Sequence, residues 1–489
     1  MTDANSRDRR YRRGSRVTRP AGDEQKLLDL AEHVSDWSAR REAEGVDRGD
    51  PSGTYPAVPD NLAETGLSQG YIADLLLKML HTYGARTGRQ LAEAIRLPYS
   101  IVEDPLMWLR QRHLTEVRGS SGPNAASFTF DLTEQGRARA REVLEGNRYV
   151  GPAPIPIQQY WHWARSQSAT RVRVSRAQIV RGLRKMVLDD DFVDMLGPAI
   201  NSGRSLFLYG EAGNGKTSIA EAVASMLGGA IYVPYAIETE GQVVQIYDPH
   251  SHRAADPPPS IVANGDDGVL RSDAGYDQRF VRIHRPAVIV GGELTLDQLE
   301  LQRDDQTGIY RAPPQVKANG GVFIIDDFGR QRVRPRDLLN RWMVPLERQV
   351  DLLDLPIGHK LAIPFECFLI FATNLDPTEL VEEAFLRRIR YKIHVDSPDR
   401  DQFRRMFQQE CESKGIPFQP SAVSYVYKHY YEAGVAEARA CHARDVVDHL
   451  ADLRRYTGVD VPLTEETLDA ACRSYFVDAG GDFGATSKI

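Results

Sequence analysis

Residues Gly210-Glu-Ala-Gly-Asn-Gly-Lys-Thr217 fit the pattern G-x-x-x-x-G-K-[ST] along their whole length. They follow the apolar run Ser205-Leu-Phe-Leu-Tyr209 and open a helical pattern over 218–227, so they stand between strand and helix as the motif requires. Glycines in such a loop let backbone N–H groups turn inward around an anion, and the helix N-terminus adds the positive end of its dipole. The Lys216 ammonium has the reach for β- and γ-phosphates, and the Thr217 hydroxyl suits the shell of a Mg²⁺ ion. Gly210, Glu211, Ala212, Gly213, Asn214, Gly215, Lys216, Thr217 and Ser218 are therefore the expected contacts of a nucleoside triphosphate.

A second element stands about 110 residues further on, at Gly321-Val-Phe-Ile-Ile-Asp-Asp-Phe328. A continuous apolar run reads as a strand buried on both faces. Acids at its C-terminal end then face the ligand crevice of a parallel sheet. Asp326 is placed to orient Mg²⁺ and Asp327 to polarise an attacking water. A third run, Phe368-Leu-Ile-Phe-Ala-Thr-Asn374, ends in an amide that can hold that water or the γ-phosphate without adding negative charge. Two arginines, Arg387 and Arg388, follow in Ala384-Phe-Leu-Arg-Arg-Ile389, and Arg444 lies in Cys441-His-Ala-Arg-Asp-Val446.

In this order and spacing the five elements resemble the AAA+ ATPases, over roughly residues 170–478. They correspond to the Walker A, Walker B, sensor 1, arginine-finger and sensor 2 elements of that family. The resemblance implies an α/β fold: a P-loop parallel sheet sandwiched by helices, with a C-terminal all-α lid. It also implies ATP and Mg²⁺ as cofactors and a homo-oligomer, usually a hexameric ring. Each site would be completed in trans by Arg387, Arg388 or both, with Arg388 favoured because it directly precedes an apolar residue. Arg444 would fold onto the nucleotide. The family's second element usually ends Asp-Glu, whereas this chain has Asp326-Asp327. A carboxylate one methylene shorter is expected to slow hydrolysis or to need a repositioned water.

The stretch 307–321 looks like the lead-in of the branch that holds Mg-chelatase, replicative helicases and MoxR-like proteins. Residues 350–365 read as two short strands around Gly358, similar to the pre-sensor-1 hairpin of that branch, with His359 and Lys360 at the tip. In ring helicases that hairpin grips nucleic acid, and in remodelling relatives it contacts protein. Residues 241–282, with Pro257-Pro-Pro259, read as an insertion.

Upstream, residues 1–20 hold seven arginines against two aspartates and are expected to be disordered. With a helix over 26–44 and a linker they form a first region, 1–60. Residues 61–150 read as helix, helix, helix, hairpin and helix, which looks like a winged-helix domain. Over 86–148, ten Arg/Lys against eight Asp/Glu leave only +2, and the third helix carries Glu103 and Asp104. Groove-reading helices bring cations to phosphates and base edges, so a protein client or adaptor is the preferred partner. DNA stays possible, with Arg118 on the wing the best contact. The remaining expectations are a Pro-rich linker over 151–174, the ATPase core over 175–396, the lid over 397–478 and a tail over 479–489.

The whole chain of 489 residues is 42% hydrophobic and 26% charged, with net charge −7. That mild acidity argues against wholesale coating of nucleic acid. No apolar run approaches the ~18 residues of a membrane span, and the N-terminal stretch lacks a signal-peptide core. Cys367, Cys411, Cys441 and Cys472 are scattered, as reduced thiols of a cytoplasmic protein would be. The expected activity is ATP-driven, chaperone-like remodelling of protein substrates. The rivals are a nucleic-acid motor or DNA-bound regulator and a nucleotide-gated scaffold that hardly turns over.

Overall fold

The computed structural model describes residues 55–120, 122–256, 275–355, 358–380, 383–458 and 462–476. The arginine-rich stretch, the helix expected over 26–44, the middle of 241–282 and the tail lie outside them.

The N-terminal part contains α1 (Gln69–Tyr83), β1 (Arg86–Thr87), α2 (Gly88–Ile95), α3 (Tyr99–Gln111), β2 (Thr115–Ser120), β3 (Phe128–Leu132) and α4 (Glu134–Gly146). Ser68, Thr87 and Thr133 each cap the helix that follows with a side-chain oxygen. The three strands pair in the order β1-β3-β2. The buried face of α1 (Ile72, Leu75, Leu76, Met79) packs with Leu91, Ile101, Leu109 and Phe130.

The chain continues through β4 (Ile155–Pro156), α5 (Ile157–Ser166), α6 (Arg176–Gly182), α7 (Asp190–Ser202), β5 (Ser205–Tyr209), α8 (Lys216–Met226), β6 (Ala230–Pro234), β7 (Ala236–Thr239) and β8 (Gln242–Gln245). Next come β9 (Phe280–His284), β10 (Ala287–Val290), β11 (Gln302–Arg303), β12 (Tyr310–Arg311) and β13 (Val322–Ile325). They are followed by α9 (Pro335–Arg348), β14 (Val350–Asp354), β15 (Lys360–Pro364), β16 (Phe368–Thr373) and β17 (Tyr391–His394). The C-terminal region is helical: α10 (Arg400–Lys414), α11 (Pro420–Val426), α12 (Ala440–Thr457) and α13 (Glu465–Tyr475).

Five strands, in the order β10-β13-β16-β5-β17, form one wholly parallel sheet. Successive side chains of a strand alternate between faces, and here both faces are apolar. Leu206, Leu208, Val322, Ile324, Phe368 and Ile370 bury against α7 and α8 on one side. Phe207, Phe323, Ile325, Leu369 and Phe371 bury against Leu338 and Trp342 of α9 on the other. That double burial is why these strands read as unbroken apolar runs rather than alternating ones. The helix-sandwiched parallel sheet and helical C-terminal region are the α/β fold class that the resemblance implies.

The 151–174 segment is not a free linker. β4 adds to a second sheet, β11-β12-β8-β7-β4, and α5 buries Tyr160, Trp161 and Trp163. The prolines do not prevent this, because Ile155 stands between Pro154 and Pro156 and keeps a backbone N–H for the sheet. Pro156 ends the strand, and its φ of −60° suits the entry to α5. The 241–282 segment likewise supplies strands: β8 joins the second sheet, and β9 pairs with β6. β14 and β15 form an antiparallel hairpin, and His359 Nδ1 lies 3.0 Å from Glu240 Oε2 at the tip of the β7–β8 hairpin. All four cysteines are free thiols, three of them buried. Among the described residues no helix is long and apolar enough to cross a membrane.

Candidate functional site

Parallel pairing brings the C-terminal ends of β5, β16 and β13 side by side, with Tyr209 opposite Thr373 and Phe371 opposite Ile325. The loop after β5, the Asp326-Asp327 turn after β13 and Asn374 after β16 therefore open on one edge of the sheet.

Glycines sit in the loop where a side chain would be strained or crowded. Gly210 has φ 137°, and a Cβ there would lie 2.4 Å from the Val395 carbonyl oxygen. Gly213 has φ 88°, and its Cβ would come 2.6 Å from Cys441 Sγ. Glu211, Ala212, Gly213 and Ser218 are exposed along the rim, whereas Asn214 and Lys216 are buried and Gly215 caps α8. Lys216 Nζ donates to the Gly210 and Glu211 carbonyls, both at 2.8 Å. Burial pulls this ammonium below its ordinary pKa, and the Asp326, Asp327 and Glu211 carboxylates act against that pull. A buried cation held only by carbonyl oxygens is well suited to anionic phosphate.

Thr217 Oγ1 donates to Asp326 Oδ2 at 2.8 Å, across 109 residues of sequence. The Asp327 N–H donates to the other oxygen, Oδ1, at 2.9 Å. One hydroxyl and one carboxylate therefore meet beside the loop, which fits Mg²⁺. That ion takes one or two protein oxygens and fills its shell with water and phosphate. Among the described residues no group of three or more His, Cys, Asp or Glu side chains gathers to hold a metal by itself.

Asp327 is exposed and has φ 48°. Its left-handed backbone starts a turn closed by the Arg330 N–H to the Asp327 carbonyl, 2.9 Å. Gln331, unremarked in the sequence, locks the turn: its Nε2 donates to the Asp326 carbonyl and its Oε1 accepts from Gly329 N. Asn374 is half-buried, and its Oδ1 accepts from Arg330 Nε at 3.2 Å.

Arg387 is exposed, and Arg388 is half-buried with its Nε on Glu347 of α9. Arg444 is 59% exposed on its side chain and pairs with its neighbour Asp445 at 2.9 Å. The cation that α12 brings to the loop is Arg439, 3.6 Å from Glu211. The first N–H groups of α12 also reach the loop. Ala440 N donates to Asn214 Oδ1 at 3.3 Å, and Cys441 N donates to the Gly213 carbonyl at 2.9 Å. The α12 cap residue, Arg439, makes no capping bond with its own side chain, so the 210–217 loop satisfies donors that helix ends otherwise leave orphaned. Asn214 also donates to Ser397 Oγ at 3.1 Å. An arginine in the cap position, where Ser, Asp or Asn is usual, was the only sign of this in the sequence.

Comparison with known proteins adds distant likenesses. A family profile described as a domain of unknown function (DUF8689) matches residues 399–474, the helical C-terminal region. No curated protein matches the chain. Among solved structures, NtrX from Brucella abortus is similar at 15% identity and TM-score 0.35, over 59% of this chain and 57% of that one. The chain thus spans little more than half of NtrX. The Thermotoga maritima RuvB Holliday junction branch migration motor is similar at 13% identity and TM-score 0.31, over 62% of this chain and 71% of that one. A MarR family regulator from Neisseria meningitidis is similar at 26% identity and TM-score 0.15, over 17% of this chain and 56% of that one.

Proposed function

We propose that this chain is a Mg²⁺-dependent ATPase of the AAA+ type, working as a ring that remodels protein substrates. The observation that carries the reading is the Thr217–Asp326 contact, which joins the phosphate loop to the acid strand. In this reading Lys216 leaves the Gly210 and Glu211 carbonyls for the β- and γ-phosphates, and loop N–H groups from Gly213 to Ser218 cradle the rest. Thr217 and Asp326 hold the Mg²⁺ shell. The bound ion supplies charge neutralisation for the phosphate oxygens. Asp327 accepts the proton of the attacking water, and Asn374 orients that water or the γ-phosphate. Arg388, or Arg387 beside it, completes the site of the next subunit; removing the finger lowers the rate by about 10³-fold. Arg439 joins the site from the lid, in the part expected of Arg444.

The N-terminal helices and three-stranded sheet are a winged helix used for docking a protein, and β14–β15 is the pre-sensor-1 hairpin. Arg118, the best DNA contact in the sequence, lies 2.8 Å from Asp131 and 3.5 Å from Glu116. A guanidinium already paired with acids has little to offer a phosphate backbone, which weighs against the nucleic-acid motor.

Phosphate release under Mg·ATP, followed across protein concentration, tests the reading. Turnover per subunit that rises with concentration and falls in Lys216→Ala and Arg388→Ala supports it. Stimulation by duplex DNA would transfer the function to the nucleic-acid motor. Tight ATP binding with no phosphate release would leave a nucleotide-gated scaffold.

A further inference from the structure

The turn that follows the acid strand is stitched to the end of β16 at three consecutive points. Phe328 N donates to the Ala372 carbonyl at 2.8 Å, and Thr373 Oγ1 donates to the Phe328 carbonyl at 2.6 Å. Arg330 Nε donates to Asn374 Oδ1 at 3.2 Å. Gly329 has φ 99°, which a side chain rarely adopts, and a Cβ there would press on the Leu375 and Leu380 methyls at 2.9 Å. The first two ties fix the backbone, and the third acts on the side chain at the end of the series.

An amide side chain is two-faced, and a half-buried Asn can present either its carbonyl or its NH₂ to a neighbour. Facing a phosphate or a lytic water, the two orientations differ in sign: NH₂ donates to an anion, whereas the carbonyl oxygen repels it. Arginine has donors only, so its Nε can accept one orientation of the amide, with Oδ1 toward Arg330. We propose that Arg330 is a positioning residue: it selects the orientation of the Asn374 amide that turns its NH₂ toward the reacting phosphate. The left-handed Asp327 makes this possible by bending the chain so that Arg330 comes back over β16. One turn thereby carries the carboxylate and orients the amide, keeping the two polar groups in register with each other.

This inference rests on the ATPase reading, and steady-state hydrolysis of Mg·ATP by the full chain separates the two. Wild type and Lys216→Ala come first, then Arg330→Ala, Arg330→Gln, Asn374→Ala and the Arg330→Ala/Asn374→Ala pair. Loss of positioning lowers kcat in Arg330→Ala by about tenfold to a hundredfold, with KM for ATP within about twofold of wild type. Arg330→Gln, whose amide offers an acceptor as well as donors and so cannot select one orientation, recovers little of the rate. The double variant is no slower than Asn374→Ala alone, because Arg330 acts only through the amide. Wild-type kcat in Arg330→Ala, or a double variant slower than Asn374→Ala by the full Arg330→Ala factor, overturns the inference while leaving the ATPase intact. A wild type that releases no phosphate overturns both.

Discussion

At the residue scale, Asp327 shows how backbone conformation bears on the choice of carboxylate after the acid strand. Its φ of 48° lies in the left-handed region, where Asn and Asp are several-fold enriched among non-glycine residues. The aspartate is thus matched to the turn, and its short carboxylate comes with it. Asp327→Glu should therefore lower turnover rather than raise it, since the longer side chain meets a backbone it tolerates less well; a higher kcat would refute this. Asp327→Asn keeps the turn and should bind ATP with near-wild-type affinity while losing most hydrolysis. Gly213→Ala combines strain at φ 88° with a contact into Cys441. It should weaken nucleotide binding by displacing α12, which titration calorimetry would read as a raised Kd.

At the scale of elements, α12 is held between two different surroundings. Its first turn is capped by the 210–217 loop, while its next residues bury an aromatic cluster. His442 stacks on Tyr431 with ring centroids 5.8 Å apart and meets Phe476 edge-on at 5.0 Å. Burial, helped by the Arg439 charge and opposed by Asp445, lowers the His442 pKa from 6.5 to about 4. The folded state then binds this proton less readily than the unfolded chain does. Its stabilising effect is complete above pH 6.5 and is lost as pH falls toward about 4. Thermal unfolding of wild type should lose more Tm between pH 7 and pH 5 than unfolding of His442→Gln. Equal losses would show that other groups govern acid sensitivity.

At the scale of the whole molecule, the N-terminal part is joined to the rest by a continuous core. Ala236 and Val243, from β7 and β8, belong to the same cluster as Leu76 and Phe130. Arg279 is 2% exposed, pairs with Asp277 at 2.8 Å, and donates to the Thr65 carbonyl at 2.9 Å. Removing one partner of a buried pair strands the other charge, at a cost of about 3–5 kcal/mol. Arg279→Ala should lower the urea midpoint strongly, and an unchanged midpoint would mean that the two parts hold together by apolar packing alone. Pairing of Arg118 with Asp131 and Glu116 also predicts that Arg118→Ala leaves the salt slope of any DNA affinity unchanged. A slope shallower by about one unit in Arg118→Ala would contradict it.

Much of this was legible before any coordinates. The glycine-rich loop after β5, the acid strand and the amide strand each declare themselves locally, because a glycine pattern or an apolar run ending in a polar residue reflects short-range chemistry. Double burial of the parallel sheet leaves unbroken apolar runs, so the fold class could be read as well. The Pro-rich stretch before α5 looked like a linker because its partner strand lies far along the chain, Ile155 pairing with Ile237 of β7. Likewise Arg330 and Arg439 are ordinary surface arginines in the sequence, and a single helix offers Arg444 as readily as Arg439. Their parts depend on which strand end or loop each one faces. Contacts between distant segments carry no local signature, so only the tertiary structure decided that Arg330 meets Asn374 and that the 210–217 loop caps α12.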